Sequence, residues 1–229
     1  MEEEVEETYH LPTLTPEEVR VLGALMEKSK TTPDYYPMTL NGITAACNQK
    51  SSRNPVVEYD DGIVMIAIDG LKRKGFVSPV TGGGSRTNKY KHNFNNMFDI
   101  PNGGVAALCL LFLRGPLTPG EINSNAGRLH EFQSLTSVQE ILQQLASYEM
   151  PLVKELPKRP GQKEVRFCHL FSGMPSESEQ DLMAEEPARK SVSSLEARIE
   201  TLEKELAEVK TELTEVKTKL DDLIKELKG

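Results

Sequence analysis

Pro37-Met38-Thr39-Leu40-Asn41-Gly42-Ile43 and Pro116-Leu117-Thr118-Pro119-Gly120-Glu121-Ile122 carry proline, threonine and isoleucine at the same places. Moving outward from these two stretches, the agreement continues. Val64, Ile68 and Leu71 match Val138, Leu142 and Leu145 at a second constant offset. Phe76-Val77 then matches Leu152-Val153, and Lys89-Tyr90 matches Arg166-Phe167. Short helix, longer helix, strand, loop and strand recur in one order. That is the pattern of a helix-turn-helix followed by a β-hairpin wing, written twice. The expected fold is mainly α with small β-hairpin wings (α+β): tandem winged helix-turn-helix domains, each with its own core, plus a C-terminal coiled coil. Such a fold points towards nucleic acid without proving a function.

Local signals place the elements. Thr15-Pro16-Glu17-Glu18 combines a cap, a first-turn proline and a glutamate three residues after the cap, so a helix opens there. Val19, Leu22, Leu25 and Met26 give its apolar stripe. Leu40 to Cys47 reads as a short second helix. Asp60 or Asp61 caps a third that ends near Gly75. Phe76 to Val80 and Thr87 to Lys91 read as strands around the wing tip Gly82-Gly83-Gly84-Ser85-Arg86. In the second copy, Val105 to Leu113 is the first helix and Thr118 to Glu121 repeats the capping box. Ser137 and Glu140 cap the third helix, and Leu152–Leu156 with Val165–Leu170 form the hairpin. The expected boundaries are an acidic disordered tail over 1–10, winged-helix domains over 11–92 and 93–173, a linker over 174–191 and a coiled coil over 192–228.

Charge is distributed unevenly. Residues 1–10 carry five acids and no Lys or Arg. Residues 11–92 carry eleven bases against eight acids, 93–173 seven of each, and 174–229 nine bases against fifteen acids. The net charge of −8 argues against a general polyanion binder, but the first copy is locally basic. The acidic N-terminus reads as no secretory signal. The longest apolar run, Val105 to Leu113, is far short of the roughly 20 residues that span a bilayer. Cys47, Cys109 and Cys168 are far apart and read as reduced, buried thiols. A cytoplasmic protein with no membrane contact is expected.

The octet Asn48-Gln49-Lys50-Ser51-Ser52-Arg53-Asn54-Pro55, with Leu14-Thr15-Pro16-Glu17-Glu18 and Tyr90-Lys91-His92, resembles the hallmark of the bacterial YceH-like family (domain of unknown function 480). The similarity covers roughly residues 11–173. The resemblance implies tandem winged-helix domains. It supplies no activity and no catalytic or ligand residues.

Candidate binding residues follow from charge and position. Lys50, Ser51, Ser52, Arg53 and Asn54 fall between the second and third helices, where cations neutralise phosphates and Ser or Asn hydrogen-bond to them. Lys72 and Arg73 close the third helix, and Arg86, Lys89 and Lys91 lie on the first wing. Lys158, Arg159 and Lys163 lie on the second. Glu58, Asp60 and Asp61 oppose this, because a recognition helix brings its start to base edges and phosphates. Gln139, Gln143 and Gln144 on the second copy are neutral. Gly82-Gly83-Gly84-Ser85 lacks the Lys-Ser/Thr of a phosphate-binding loop, and no zinc pattern or nucleophile–base pair is visible. No catalysis, metal or cofactor is expected. Duplex DNA is the expected partner, with an unidentified protein docking on the winged helices as the alternative.

From Val192 the period changes. Val192, Leu195, Ile199, Leu202, Leu206, Val209, Leu213, Val216, Leu220, Leu223 and Leu227 repeat at alternating spacings of three and four. With Val192 at position a, parallel pairing sets Arg198 against Glu203, Glu205 against Lys210 and Glu212 against Lys217, all of opposite sign. A parallel homo-oligomer is expected, a dimer in first place. Leu206 and Leu213 at a, with Val209 and Val216 at d, leave three or four strands open.

Overall fold

The computed structural model describes residues 11–80, 87–158, 162–174 and 210. The acidic tail, the first wing tip, residues 159–161 of the second, residues 175–191 and the heptad region apart from Lys210 lie outside the described residues, and with them Arg86 and Arg159. Helix α1 (Pro16–Thr31) begins at Thr15 with the expected capping box. The Thr15 hydroxyl accepts from the Glu18 amide at 3.3 Å, and the Glu18 carboxylate accepts from the Thr15 amide at 2.8 Å. The sequence stripe understates how much of this helix is covered. Every residue from Glu18 to Met26 is buried. A helix covered all round lies inside the fold, not on its surface.

Strand β1 (Met38–Thr39) leads into α2 (Leu40–Cys47), capped by the Thr39 hydroxyl on the Gly42 amide. Asp60 caps α3 (Asp61–Arg73) by accepting from the Ile63 amide at 2.8 Å. Strands β2 (Val77–Val80) and β3 (Lys89–His92) form the hairpin, antiparallel with Val77 opposite His92 and Val80 opposite Lys89. Strand β1 joins as a third member in the order β1-β3-β2, with Met38 opposite Tyr90. Two residues are too few to show an alternating pattern, so this strand had no sequence signal. Pro79 is tolerated because β2 is an edge.

The second copy repeats the arrangement. A single turn, α4 (Phe94–Met97), precedes it and buries Phe94. Helix α5 (Asn102–Arg114) starts ahead of the apolar run. Helix α6 (Pro119–Asn125) opens with the expected Thr118–Glu121 box. Helix α7 (Leu135–Ala146) starts earlier than its apolar pattern suggests: Ser134 is the cap and Ser137 returns the bond to it. Serine supplies this reciprocal contact, so the expected Ser137–Glu140 pair is corrected to Ser134–Ser137. Strands β4 (Val153–Glu155) and β5 (Phe167–His169) pair antiparallel. A bridge from Leu117 to Phe167 repeats the Met38–Tyr90 pairing of the first copy.

The two copies do not have separate cores. One buried cluster contains Leu22, Ile43, Ile68 and Phe76 of the first copy together with Leu108, Ile122, Leu142 and Phe171 of the second. Helices α1 and α5 meet closely. A Cβ on Gly23 would stand 2.9 Å from the Phe112 Cβ, and the Cys109 thiol donates to the Gly23 carbonyl at 3.5 Å. Phe171 ties the halves further, with ring centroids 6.0 Å from Phe76 of the first copy and 5.2 Å from Phe112 of the second. The Leu14 amide also donates to the Phe171 carbonyl at 2.6 Å.

Candidate nucleic-acid interface

The octet between α2 and α3 is a closed loop. Asn48 clamps its two ends, donating to the Tyr59 carbonyl at 2.7 Å and accepting from the Tyr59 amide at 2.8 Å. Ser52 adopts the left-handed region, with φ of 59°. The Asn54 amide donates to the Leu113 carbonyl at 2.9 Å, fixing the loop to the end of α5.

Arg53 leaves the set of candidate phosphate ligands. Its side chain has no exposed surface and forms a bidentate pair with Glu27, at 3.1 and 2.7 Å. Its other bonds reach the Ala46 carbonyl, the Ser52 carbonyl and the Gln49 side-chain oxygen. A guanidinium satisfied in this way orders the loop from within. Burial alone would raise the Glu27 carboxyl. The Arg53 hydrogen bonds and charge, with Lys28 nearby, instead hold it below the ordinary carboxylate range.

The remaining candidates divide by position. Lys50, Ser51 and Asn54 are exposed and Ser52 is half-buried. Lys72 and Arg73 are exposed at the end of α3, where Lys72 pairs with Asp69 at 3.0 Å. Lys91 is exposed and Lys89 half-buried on β3, while Lys158 and Lys163 are exposed on the second hairpin. The start of α3 opposes phosphate. Glu58, Asp60 and Asp61 are all exposed, and no cation occurs between Val56 and Leu71. Two of these acids have local structural work: Asp60 caps α3, and Asp61 accepts from the Thr44 hydroxyl at 2.6 Å, tying α3 to α2. The outer face of α3 is apolar, with Ile66 73% and Ile63 37% exposed. On α7, Gln139, Gln143 and Gln144 are exposed, and Gln144 donates to the Tyr148 hydroxyl.

Folding also assembles a feature that the linear sequence hides. Lys28, from the last turn of α1, Lys50 and Ser51 from the octet, and Arg128 from the loop after α6 line a groove of about 460 Å³. Lys28 reads in sequence as an ordinary helix-end cation, and Arg128 as an isolated loop residue. The available signal was that Lys50 and Arg128 occupy the same inter-helix loop in the two copies.

Burial favours the neutral form of the interior histidines and cysteines. Burial pushes His92 and His169 down to about 4, with the Lys30 charge adding to the effect at His92. Burial raises Cys47 to about 12, despite Arg20 and Arg53, and raises Cys109 and Cys168 as well. Among the described residues, no group of three His, Cys, Asp or Glu side chains could hold a metal ion. No helix among them is long and apolar enough to cross a membrane.

The described part is therefore a mixed helical protein with small antiparallel sheets in a winged-helix-like arrangement. The chain belongs to the family described as "Protein of unknown function, DUF480", whose model matches residues 14–162. It is 47% identical over 178 residues to a "UPF0502 protein" of Opitutus terrae, covering 77% of each chain. It is 46% identical over 170 residues to a "UPF0502 protein" of Shewanella baltica, covering 72% of this chain and 76% of that one. A third relative, from Shewanella sp. strain MR-4, is 41% identical over 198 residues, covering 81% and 89%.

Proposed function

We propose that the chain is a non-enzymatic protein that holds duplex DNA through backbone phosphates and oligomerises through its C-terminal heptads. The observation that carries the DNA reading is the set of exposed cations flanking the first helix-turn-helix: Lys50, Lys72, Arg73 and Lys91. The cation-free, acidic and apolar start of α3 speaks against base readout. The contact is therefore sequence-independent, with phosphates supplying the affinity. Changing Lys50 and Lys91 to Ala together should weaken binding to random duplexes alike. The salt slope should fall by about two units, since each phosphate contributes roughly 0.9. A double variant that binds with an unchanged slope removes this reading. The heptad stripe supports a parallel homodimer, so deletion from residue 191 onward should yield a monomer by sedimentation. A full-length chain already monomeric at micromolar concentration counts against it.

A second reading has its own observation. Ile63 and Ile66 sit exposed beside carboxylates on α3. That face suits a protein partner better than a phosphate backbone. Ile66→Glu distinguishes the two: an adaptor loses its partner, while DNA binding through the flanking lysines is little changed.

A further inference from the structure

The groove beside the octet shares only Lys50 with the proposed duplex contact. Its cations come from both copies: Lys28 and Lys50 from the first, Arg128 from the second. The carboxylate in its wall, Glu27, binds the buried Arg53 with both oxygens and has Lys28 at 3.4 Å, so it leaves the charges of Lys50 and Arg128 uncancelled. The groove therefore presents net positive charge. The end of α1 does not cancel it, since the Thr31 and Thr32 hydroxyls donate to the Glu27 and Lys28 carbonyls. Those hydroxyl oxygens, like the oxygens of Ser51 and Ser52, keep lone pairs for a donor.

We propose that this groove binds a phosphorylated sugar or polyol, with the phosphate on Lys28, Lys50 and Arg128 and the hydroxyls on the Ser, Thr and Gln49 lining. Size and lining select this class. A volume of about 460 Å³ exceeds what a bare phosphate fills and lies in the range of small-ligand sites, roughly 300–1,000 Å³. Yet no aliphatic or aromatic side chain lines it, so a nucleobase has nothing to stack on and an acyl chain nothing to pack against. A hydroxyl-rich, anionic ligand matches the cations, the hydroxyls and Gln49 of the lining. Because it touches both copies, it also bridges them. The inference does not depend on the DNA reading.

The test is calorimetric titration of the full chain with glucose 6-phosphate, inorganic phosphate and glucose. Saturable binding of glucose 6-phosphate is expected, at least tenfold tighter than either comparator. Lys50→Ala with Arg128→Ala should weaken it at least tenfold while the melting temperature of the free protein holds, as both side chains are exposed. Binding should also raise the melting temperature, as for any ligand selective for the folded state. No saturation up to about 1 mM, equal affinity for inorganic phosphate, or indifference to the double variant overturns the proposal. A random duplex oligonucleotide forms the last arm. If it displaces glucose 6-phosphate and depends equally on Arg128, the groove is a DNA-backbone contact and the small-ligand site is rejected. If the chain binds no duplex but retains glucose 6-phosphate, the DNA reading fails and this site stands.

Discussion

Among the described residues each copy of the repeat shows a bidentate Arg–Glu pair, and the two pairs differ mainly in their access to water. Arg53 and Glu27 meet at 2.7 Å with side chains 0% and 14% exposed. Arg166 and Glu121 meet at 2.8 Å with side chains 17% and 33% exposed. Similar geometry does not give similar energetics. A charge stranded in the interior costs far more than one that water can reach. The first pair holds a loop from inside. The second joins β5 to the capping box of α6, with Arg166 also donating to the Pro116 carbonyl.

The largest expected effect comes from cutting between the copies. Neither repeat encloses its own core, because α1 lies against α5 and Phe171 packs on Phe76 of the first copy. Residues 93–173 alone should show no cooperative melt by circular dichroism, whereas 11–173 should melt in one transition. A sharp transition in the fragment would restore the two-core picture.

Next comes the buried pair. Glu27→Ala leaves a guanidinium without water or counter-charge and should cost about 3–5 kcal/mol in denaturant unfolding. Arg53→Met should cost less, since the stranded carboxylate keeps Lys28 at 3.4 Å and some solvent. The order of the two reports which partner is the more deeply buried. Acid acts on the same loop. Glu27 has a lowered folded pKa, so its contribution is present above the ordinary carboxylate range and is lost as pH falls through the folded value. His92 and His169 act earlier. Their folded values of about 4 lie below the ordinary 6.5, so the unfolded chain takes up protons first and stability falls from about pH 6.5 downward. Denaturant midpoints that stay flat between pH 7 and 5 would contradict the buried, neutral state of both histidines.

The caps and repeats were readable in the sequence because they are local. Thr15, Thr118 and Asp60 each act within three residues, and α2 spans the expected Leu40–Cys47. The shared core was not readable, because a repeat in sequence does not say whether its copies pack together. Helix α1 shows the loss most clearly: its stripe of four residues described one buried face, while α5 covers another. Arg53 illustrates the same limit at the site. An arginine in a polar loop has one sequence signature whether it faces phosphate or the interior, and its partner Glu27 lies on a different helix. Arg128 carries no local sequence signature for the opposite reason, as its neighbours in the groove come from the other copy.

The smallest effect sharpens the opening contrast. Arg166→Met keeps the apolar stem and removes the charge from the half-exposed pair. Glu121 then retains water and its bond to the Thr118 amide at 2.8 Å, so the α6 cap survives. The expected cost is within about 1 kcal/mol, the range of solvent-accessible pairs. For a chain of this size that is a melting shift of roughly 2–4 °C. Added salt should shrink the difference between wild type and Arg166→Met, because an accessible pair is screened. The deficit of Glu27→Ala should persist in salt, because a buried charge is screened much less. If Arg166→Met proves as damaging as Arg53→Met, burial is not what separates the two pairs. The bond from Arg166 to the Pro116 carbonyl would then be the contact that holds the second copy's β5 against the start of α6.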